Sequence, residues 1–296
     1  MDQQIATLRE RFEAELQLSS AQNAARFHPI DISRVRTEDW QVKRYILDEE
    51  SGDLEAAYKA LVRTLEWKCK WGVHENRLGQ YPAEFFDLYS IEAFEEGDRE
   101  GRLVFAEAMR GQRRYPELEA HFRTFVIAWA EHLDRRVGER GLTYLADFTG
   151  ASLLKIDLGL TKFRTGILSR HYPLMLRRSL LHRVPKAVVP PLKLAFAFFK
   201  KSVRDAVTYT ADLEALFAYL DPARLHTDFG GRRTELTYPV AKGELQSIWT
   251  LYPAMGLERK FVERYLKDAQ AACKKELING EDDGDEEVNG DNVNGQ

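Results

Sequence analysis

The reactive side chains that this sequence concentrates in one place are bases. From Leu158 to Arg204 it carries eleven of them, Lys162, Arg164, Arg170, Arg177, Arg178, Arg183, Lys186, Lys193, Lys200, Lys201 and Arg204, and no acid. Among them runs the most apolar stretch of the chain, Ala187-Val-Val-Pro-Pro-Leu-Lys-Leu-Ala-Phe-Ala-Phe-Phe199. Cationic side chains flanking a large apolar surface suit an anionic bilayer, where each lysine or arginine near the surface contributes about 1 kcal/mol. The same pattern also fits a solvated basic face beside a buried helix whose Phe196, Phe198 and Phe199 are core. Nucleic acid is a third partner to weigh, but no recognised binding module accompanies these bases, and none is expected to bind.

Groups for catalysis do not assemble in the same way. Gly-x-Ser-x-Gly, His-Glu-x-x-His, Gly-x-x-x-x-Gly-Lys and Gly-x-Gly-x-x-Gly are all absent. Asp228-Phe229-Gly230 has the letters of a kinase magnesium motif without the glycine-rich loop, strand lysine or His-Arg-Asp that must work with it. Asp147-x-x-Gly150 lacks the phosphate loop of a GTPase, so Asp147 reads as a turn cap at a strand end. The seven histidines show no metal spacing: His121 and His132 are eleven residues apart, and His171, His182 and His226 fall in different elements. Cys69 and Cys273 are too few for a disulfide framework, a four-thiolate zinc site or an iron–sulfur cluster. The expectation is a protein that is not an enzyme and holds no cofactor or metal.

The elements that must position these residues follow from periodicity. The chain has 296 residues, 44% hydrophobic and 30% charged, a globular balance. Net charge is −4, but the tail from Asn279 holds seven of the 47 acids and no base, so the body carries 40 acids against 43 bases. That tail of Gly, Asn and acids is expected to be disordered. The charged start, MDQQIATLRERFEAEL, has no signal-peptide core, and the apolar stretch is short of the roughly 20 residues that span a bilayer. A soluble, cytoplasmic chain is expected.

Three helical patterns come first: Ile5, Leu8, Phe12 and Leu16; Trp40 to Leu47; and Leu54 to Cys69, capped by Asp53 and stopped at Gly72. Then strands and helices alternate. Arg102–Glu107, Leu142–Ala146, Ser179–Val184 and Asp205–Thr210 read as strands. Helices are expected from Pro116 through Leu133 and from Leu158 to Leu176, the latter with Phe163, Ile167 and Tyr172 inward. Such alternation implies an α/β domain with a mixed, largely parallel sheet behind an N-terminal helical part. A last helix is expected from about Glu258 to Leu277, with Glu263 and Lys267 paired. The expected division is 1–76 helical, 77–240 sheet domain, 241–278 helical extension and 279–296 tail.

Four stretches in this order resemble the CRAL-TRIO lipid-binding family over roughly Thr37 to Gly231. They are AYKALVRTLEWKCKWG (57–72), GLTYLADFTGASL (141–153), SRHYPLMLRRSLLHRVP (169–185) and YLDPARLHTDFGG (219–231). Within the family the chain is most similar to the lipid domain of motile-sperm-domain-containing proteins, without their second domain or anchor. The resemblance implies a mixed sheet flooring an apolar lipid cavity, covered by a gate helix at Pro190–Lys201. It implies Phe163, Ile167, Leu192, Phe196, Phe199 and Val207 as acyl-chain contacts. Arg177, Arg178, Lys200, Lys201 and Arg204 would hold a phosphate or dock on an anionic membrane.

Departures from the family pattern touch the headgroup. Leu174 follows Tyr172-Pro173 where phosphatidylinositol-transferring members carry a glutamate, and Arg204 or a neighbour replaces their gate-end lysine. Phosphatidylinositol is therefore not carried over. The resemblance implies transfer or presentation of a hydrophobic ligand, a phospholipid foremost, by a cytoplasmic protein peripheral on membranes. The alternatives are a protein-interaction scaffold of the same fold, as a small-GTPase or membrane adaptor, and an isoprenoid or retinoid carrier.

Overall fold

The computed structural model describes residues 1–18, 26–49, 51–110, 112–151, 157–186, 189–190 and 201–279. The expected gate contacts Leu192, Phe196 and Phe199, the base Lys200 and the tail beyond Asn279 lie outside the described residues.

Helices α1 (Asp2–Leu18), α2 (Pro29–Thr37), α3 (Asp39–Asp48) and α4 (Leu54–Lys70) form an N-terminal bundle. The i, i+3/i+4 stripe of Ile5, Leu8 and Phe12 is buried with Val42 and Tyr45 of α3 and with Tyr58, Leu61 and Leu65 of α4. Asp53 caps α4 by accepting the Glu55 backbone N–H at 2.8 Å. Beyond its end Gly72 turns the chain at φ +56°. The short α2 has no apolar stripe to announce it. It is set by Pro29 at its first position and by His28 Nδ1, which accepts the Ile30 N–H at 3.1 Å.

The sheet has strands β1 (Glu92–Phe94), β2 (Leu103–Ala108), β3 (Leu142–Asp147), β4 (Leu176–His182) and β5 (Val207–Thr210), side by side in that order. β1 runs antiparallel to β2, and the other three pairings are parallel. A parallel pairing needs a long crossover. Here α6 (Glu119–Val137) joins β2 to β3, and α7 (Leu158–His171) lies between β3 and β4. A short α5 (Ala83–Asp87) precedes β1, and α8 (Lys201–Asp205) leads into β5. Then come α9 (Leu213–Phe217), α10 (Ile248–Leu251) and α11 (Arg259–Asn279).

Alternation along the strands divides the core into two layers. Val104, Ala106, Leu145 and Leu180 pack with Leu216, Leu220, Leu225 and Phe229 on one face. Leu103, Phe105, Leu142 and Tyr144 pack on the other with Phe125 and Trp129 of α6 and Ile167 of α7. The closing Gly-Gly has a steric reason: a Cβ on Gly231 would stand 2.0 Å from the Leu225 carbonyl oxygen.

Some expected elements are shifted. α7 stops at His171 rather than Leu176, because Pro173 disfavours helical backbone before it, and β4 begins at Leu176, ahead of Ser179. On α11, Glu263 pairs with Arg259 at 3.1 Å rather than with Lys267.

Buried charge joins the bundle to the sheet half. Arg44 of α3, 1% exposed, donates to Asp134 of α6 and to the Pro173 carbonyl at 2.7 and 2.9 Å. Lys68 of α4 meets Glu131 of α6 at 2.7 Å, and the Tyr172 hydroxyl donates to the same carboxylate at 3.1 Å. His74 Nε2 and Asp31 Oδ2 stand 2.8 Å apart beside them. Burial alone would raise the Glu131 carboxyl, but Lys68, Arg34 and His74 outweigh it and hold it at about 2.

A carboxyl depressed by folding contributes stability that is complete above its unfolded pKa and is lost as the pH falls through the folded value. For Glu131 that window runs from 4.5 down to about 2. Glu131→Gln strands Lys68 and should cost about 3–5 kcal/mol at neutral pH. In urea titrations across the acid range, the gap between wild type and this variant should narrow as pH falls below about 4.5.

Candidate functional site

Towards the C-terminal ends of β3 and β4 the second face of the sheet leaves the main core and forms an apolar strip of its own. Met109, Ala146, Phe148 and Leu181 are buried there, with Tyr144, Ala151, Val184, Val207 and Tyr209 partly buried around them. Register explains the grouping. Ala146 pairs with Leu181 and Leu181 with Tyr209, while Tyr144 pairs with Ser179 and Ser179 with Val207. The carboxyl ends of parallel strands are where open α/β sheets take ligands.

One polar group interrupts this strip. Glu107 of β2 pairs in register with Ala146, so it shares that face. Its Oε1 accepts from the Tyr144 hydroxyl and from Arg164 Nη1 of α7, and the guanidinium stands 5.3 Å from the Tyr144 ring centre. Glu107 is buried, while Arg164 keeps 20% of its side chain exposed. Burial, opposed by Arg164 and reinforced by Glu107, pushes the Tyr144 phenol well above its ordinary value. The trio therefore presents a neutral phenol beside an internally balanced ion pair.

The expected acyl contacts divide on inspection. Val207 lies in the apolar strip. Ile167 is buried in the main core, and Phe163 packs against that core partly buried, 6.1 Å from Trp71 and 4.7 Å below Arg123. Of the expected headgroup bases, Arg177 donates to the Glu139 carbonyl at 3.0 Å, and Arg178 pairs with Glu100 at 2.7 Å over the Tyr219 ring. Lys201 and Arg204 are exposed on α8, with Lys201 3.6 Å from Asp205. The Ser179 N–H meets the Ala206 carbonyl at 2.7 Å. All four bases therefore lie at the N-terminal ends of β4 and β5, and the strip runs from Val207 towards the opposite ends.

Other singled-out residues have structural partners. Asp147 Oδ1 accepts from the Thr149 N–H at 2.9 Å and from its hydroxyl at 2.6 Å, an Asx turn, which agrees with its reading as a cap. His182 Nδ1 is 3.0 Å from Thr210 Oγ1, and His171 stacks on Trp67 with ring centres 4.1 Å apart. The Tyr172-Pro173 pair, read as part of the lipid motif, bonds to Glu131 and Arg44 at the joint with the bundle. Glu107 and Tyr144 were not singled out in the sequence, and Arg164 counted only as one base of eleven. The available signal was a lone acid in the apolar strand Leu-Val-Phe-Ala-Glu-Ala. Among the described residues no group of three or more His, Cys, Asp or Glu is placed to hold a metal, and no helix is long and apolar enough to cross a membrane.

Residues 90–231, from just before β1 to the Gly-Gly turn, match the CRAL/TRIO domain family. Over that segment the chain is similar to the CRAL/TRIO domain. As a family, CRAL/TRIO domains bind lipids. The fold is also similar to that of the crystal structure of Sfh5, with a TM-score of 0.61 at 15% identity over 86% of this chain and 96% of that one. No curated protein matches. The helices of the N-terminal bundle lie outside the matched CRAL/TRIO segment, and the whole sheet with its apolar strip lies inside it.

Arg164→Met leaves Glu107 buried without its cation, which should destabilise the sheet half of the protein by about 3–5 kcal/mol. Replacing the trio together, Glu107→Leu/Tyr144→Phe/Arg164→Met, removes charge and unmet donors at once. That variant should unfold in urea within about 1 kcal/mol of wild type.

Proposed function

We propose that this protein binds a lipid, a phospholipid foremost, along the apolar strip of its sheet and transfers or presents it at anionic membranes. The observation that carries the reading is the strip itself. Inside a CRAL/TRIO domain, Ala146 and Leu181 are buried while Val207 and Tyr209 beside them on the same face are only partly covered by described residues. A diacyl lipid has on the order of 30 methylenes, each resisting water by about 0.8 kcal/mol. A carrier that crosses water must enclose those chains, and an apolar sheet face provides one wall.

The exposed bases Lys201 and Arg204 stand on α8, directly after the apolar stretch of the sequence and directly before Val207. That order supports membrane docking at this end of the domain, with Lys200 as a further base and the apolar sequence Ala187–Phe199 as their partner. Lys201 and Arg204 share one exposed helix, which favours them as the docking pair. The reading needs no catalytic step.

The test is incubation of the full chain with mixed liposomes, followed by re-isolation and mass spectrometry of the extracted lipid. A stoichiometric lipid is expected, and its mass names the headgroup. Val207→Trp fills the strip and should lower loading at least tenfold with an unchanged circular dichroism spectrum. Phe196→Asp/Phe199→Asp should abolish loading. A lipid-free protein that binds liposomes only at low salt would instead be a docking scaffold, and one that does neither a protein-interaction module.

A further inference from the structure

We infer that Arg164, held in place by Glu107 and Tyr144, is the polar contact for the head of the bound ligand, and that this head is an oxyanion or ester-carbonyl oxygen on an apolar chain. The inference rests on the lipid-carrier reading and adds the chemistry that selects the ligand.

Position supports it first. Through Glu107, Ala146, Leu181 and Tyr209, paired in register across β2 to β5, the trio sits at one end of a continuous apolar strip. An amphiphile lying along the strip would bring its chain over Leu181 and Val207 and its head to Arg164.

Unused donor capacity supports it next. A guanidinium offers five N–H donors in a planar fork suited to paired oxygens. Among the described residues only Glu107 and Tyr144 act as its polar partners, and the fork keeps 20% of its side chain exposed. Glu107 Oε1 already receives two donors, so its position is fixed and it holds the fork in turn.

Charge balance then defines the ligand. Glu107 cancels the net charge of Arg164, so selection falls to directed N–H groups rather than to long-range attraction. Such a site accepts a carboxylate, a phosphate or a neutral ester. A pure hydrocarbon desolvates the fork without supplying an acceptor, and each donor left so costs on the order of tenfold in affinity.

The test uses delipidated full-length protein and phosphatidylcholine vesicles doped with equal amounts of oleic acid and 1-octadecene, which share a chain length. After gel filtration the bound lipids are extracted and quantified by mass spectrometry. Wild type should carry oleic acid or phosphatidylcholine at least tenfold over octadecene, and whichever is found distinguishes a fatty acid from a phospholipid head. Arg164→Lys keeps the charge and the pair with Glu107 but loses the fork, so its preference should fall several-fold. Glu107→Leu/Tyr144→Phe/Arg164→Met should lose the preference altogether. Octadecene at parity in wild type, or preferences unchanged in Arg164→Lys, would overturn this inference while leaving lipid carriage standing. Protein that carries none of the three would overturn both.

Discussion

The sheet can serve a ligand only if the helix lying over it is held still, and buried charge does the holding. Arg44, Lys68, Glu131 and Asp134 are all nearly inaccessible to water, and taking ions out of water costs several kcal/mol apiece. Such a cluster persists only when each member is matched. Arg44 is matched by Asp134 and the Pro173 carbonyl, and Glu131 by Lys68, Tyr172 and Arg135. Apolar side chains could fill the same volume, but they would not fix direction. The guanidinium fork of Arg44 sets where the turn after α7 must lie relative to α3.

From that constraint the geometry of the site follows. α7 is pinned at its C-terminal end, where Tyr172 and Pro173 join the cluster and His171 stacks on Trp67 of α4. It is pinned again through Arg164, on Glu107 of β2. A helix fixed at two points along 14 residues has little freedom to rock. The covered part of the sheet, around Phe105 and Tyr144, is therefore rigidly packed, and Val207 and Tyr209 are only partly buried along the strip. The N-terminal bundle outside the matched domain thus works as a clamp on the helix that borders the site.

What the sequence made legible was whatever repeats or caps locally. The stripe of α1, the Asp53 cap, the strands at Leu103 and Leu142 and the mixed sheet were all readable from periodicity and turn chemistry. Short elements were not: β1, with three residues, and α2, nine residues with only Asp31 and Val35 buried, give no periodic signal. The trio of Glu107, Tyr144 and Arg164 escaped for a related reason. Its members are 37, 20 and 57 residues apart in sequence and meet only because register and crossover bring them together. Apolar spacing on α7 identified an inner face, and the fold buries Ile167 in the main core with Phe163 packed against it beside Trp71.

The run of like charge from Leu158 to Arg204 carries a further lesson about composition. Eleven bases without an acid in the same segment looks like a single electropositive surface. In the fold, acceptors from distant parts of the chain answer several of them: the carboxylates of Glu107 and Glu100 meet Arg164 and Arg178, and the Glu139 backbone carbonyl takes Arg177. Lys201 and Arg204 are exposed together on one short helix, and Arg177 is exposed at the start of β4. The same residue type thus takes three positions within fifty residues: against a buried carboxylate, at a strand end, and exposed on a short helix. Which position each one takes is decided by the partner the topology supplies, so the local excess of charge overstates the basic surface.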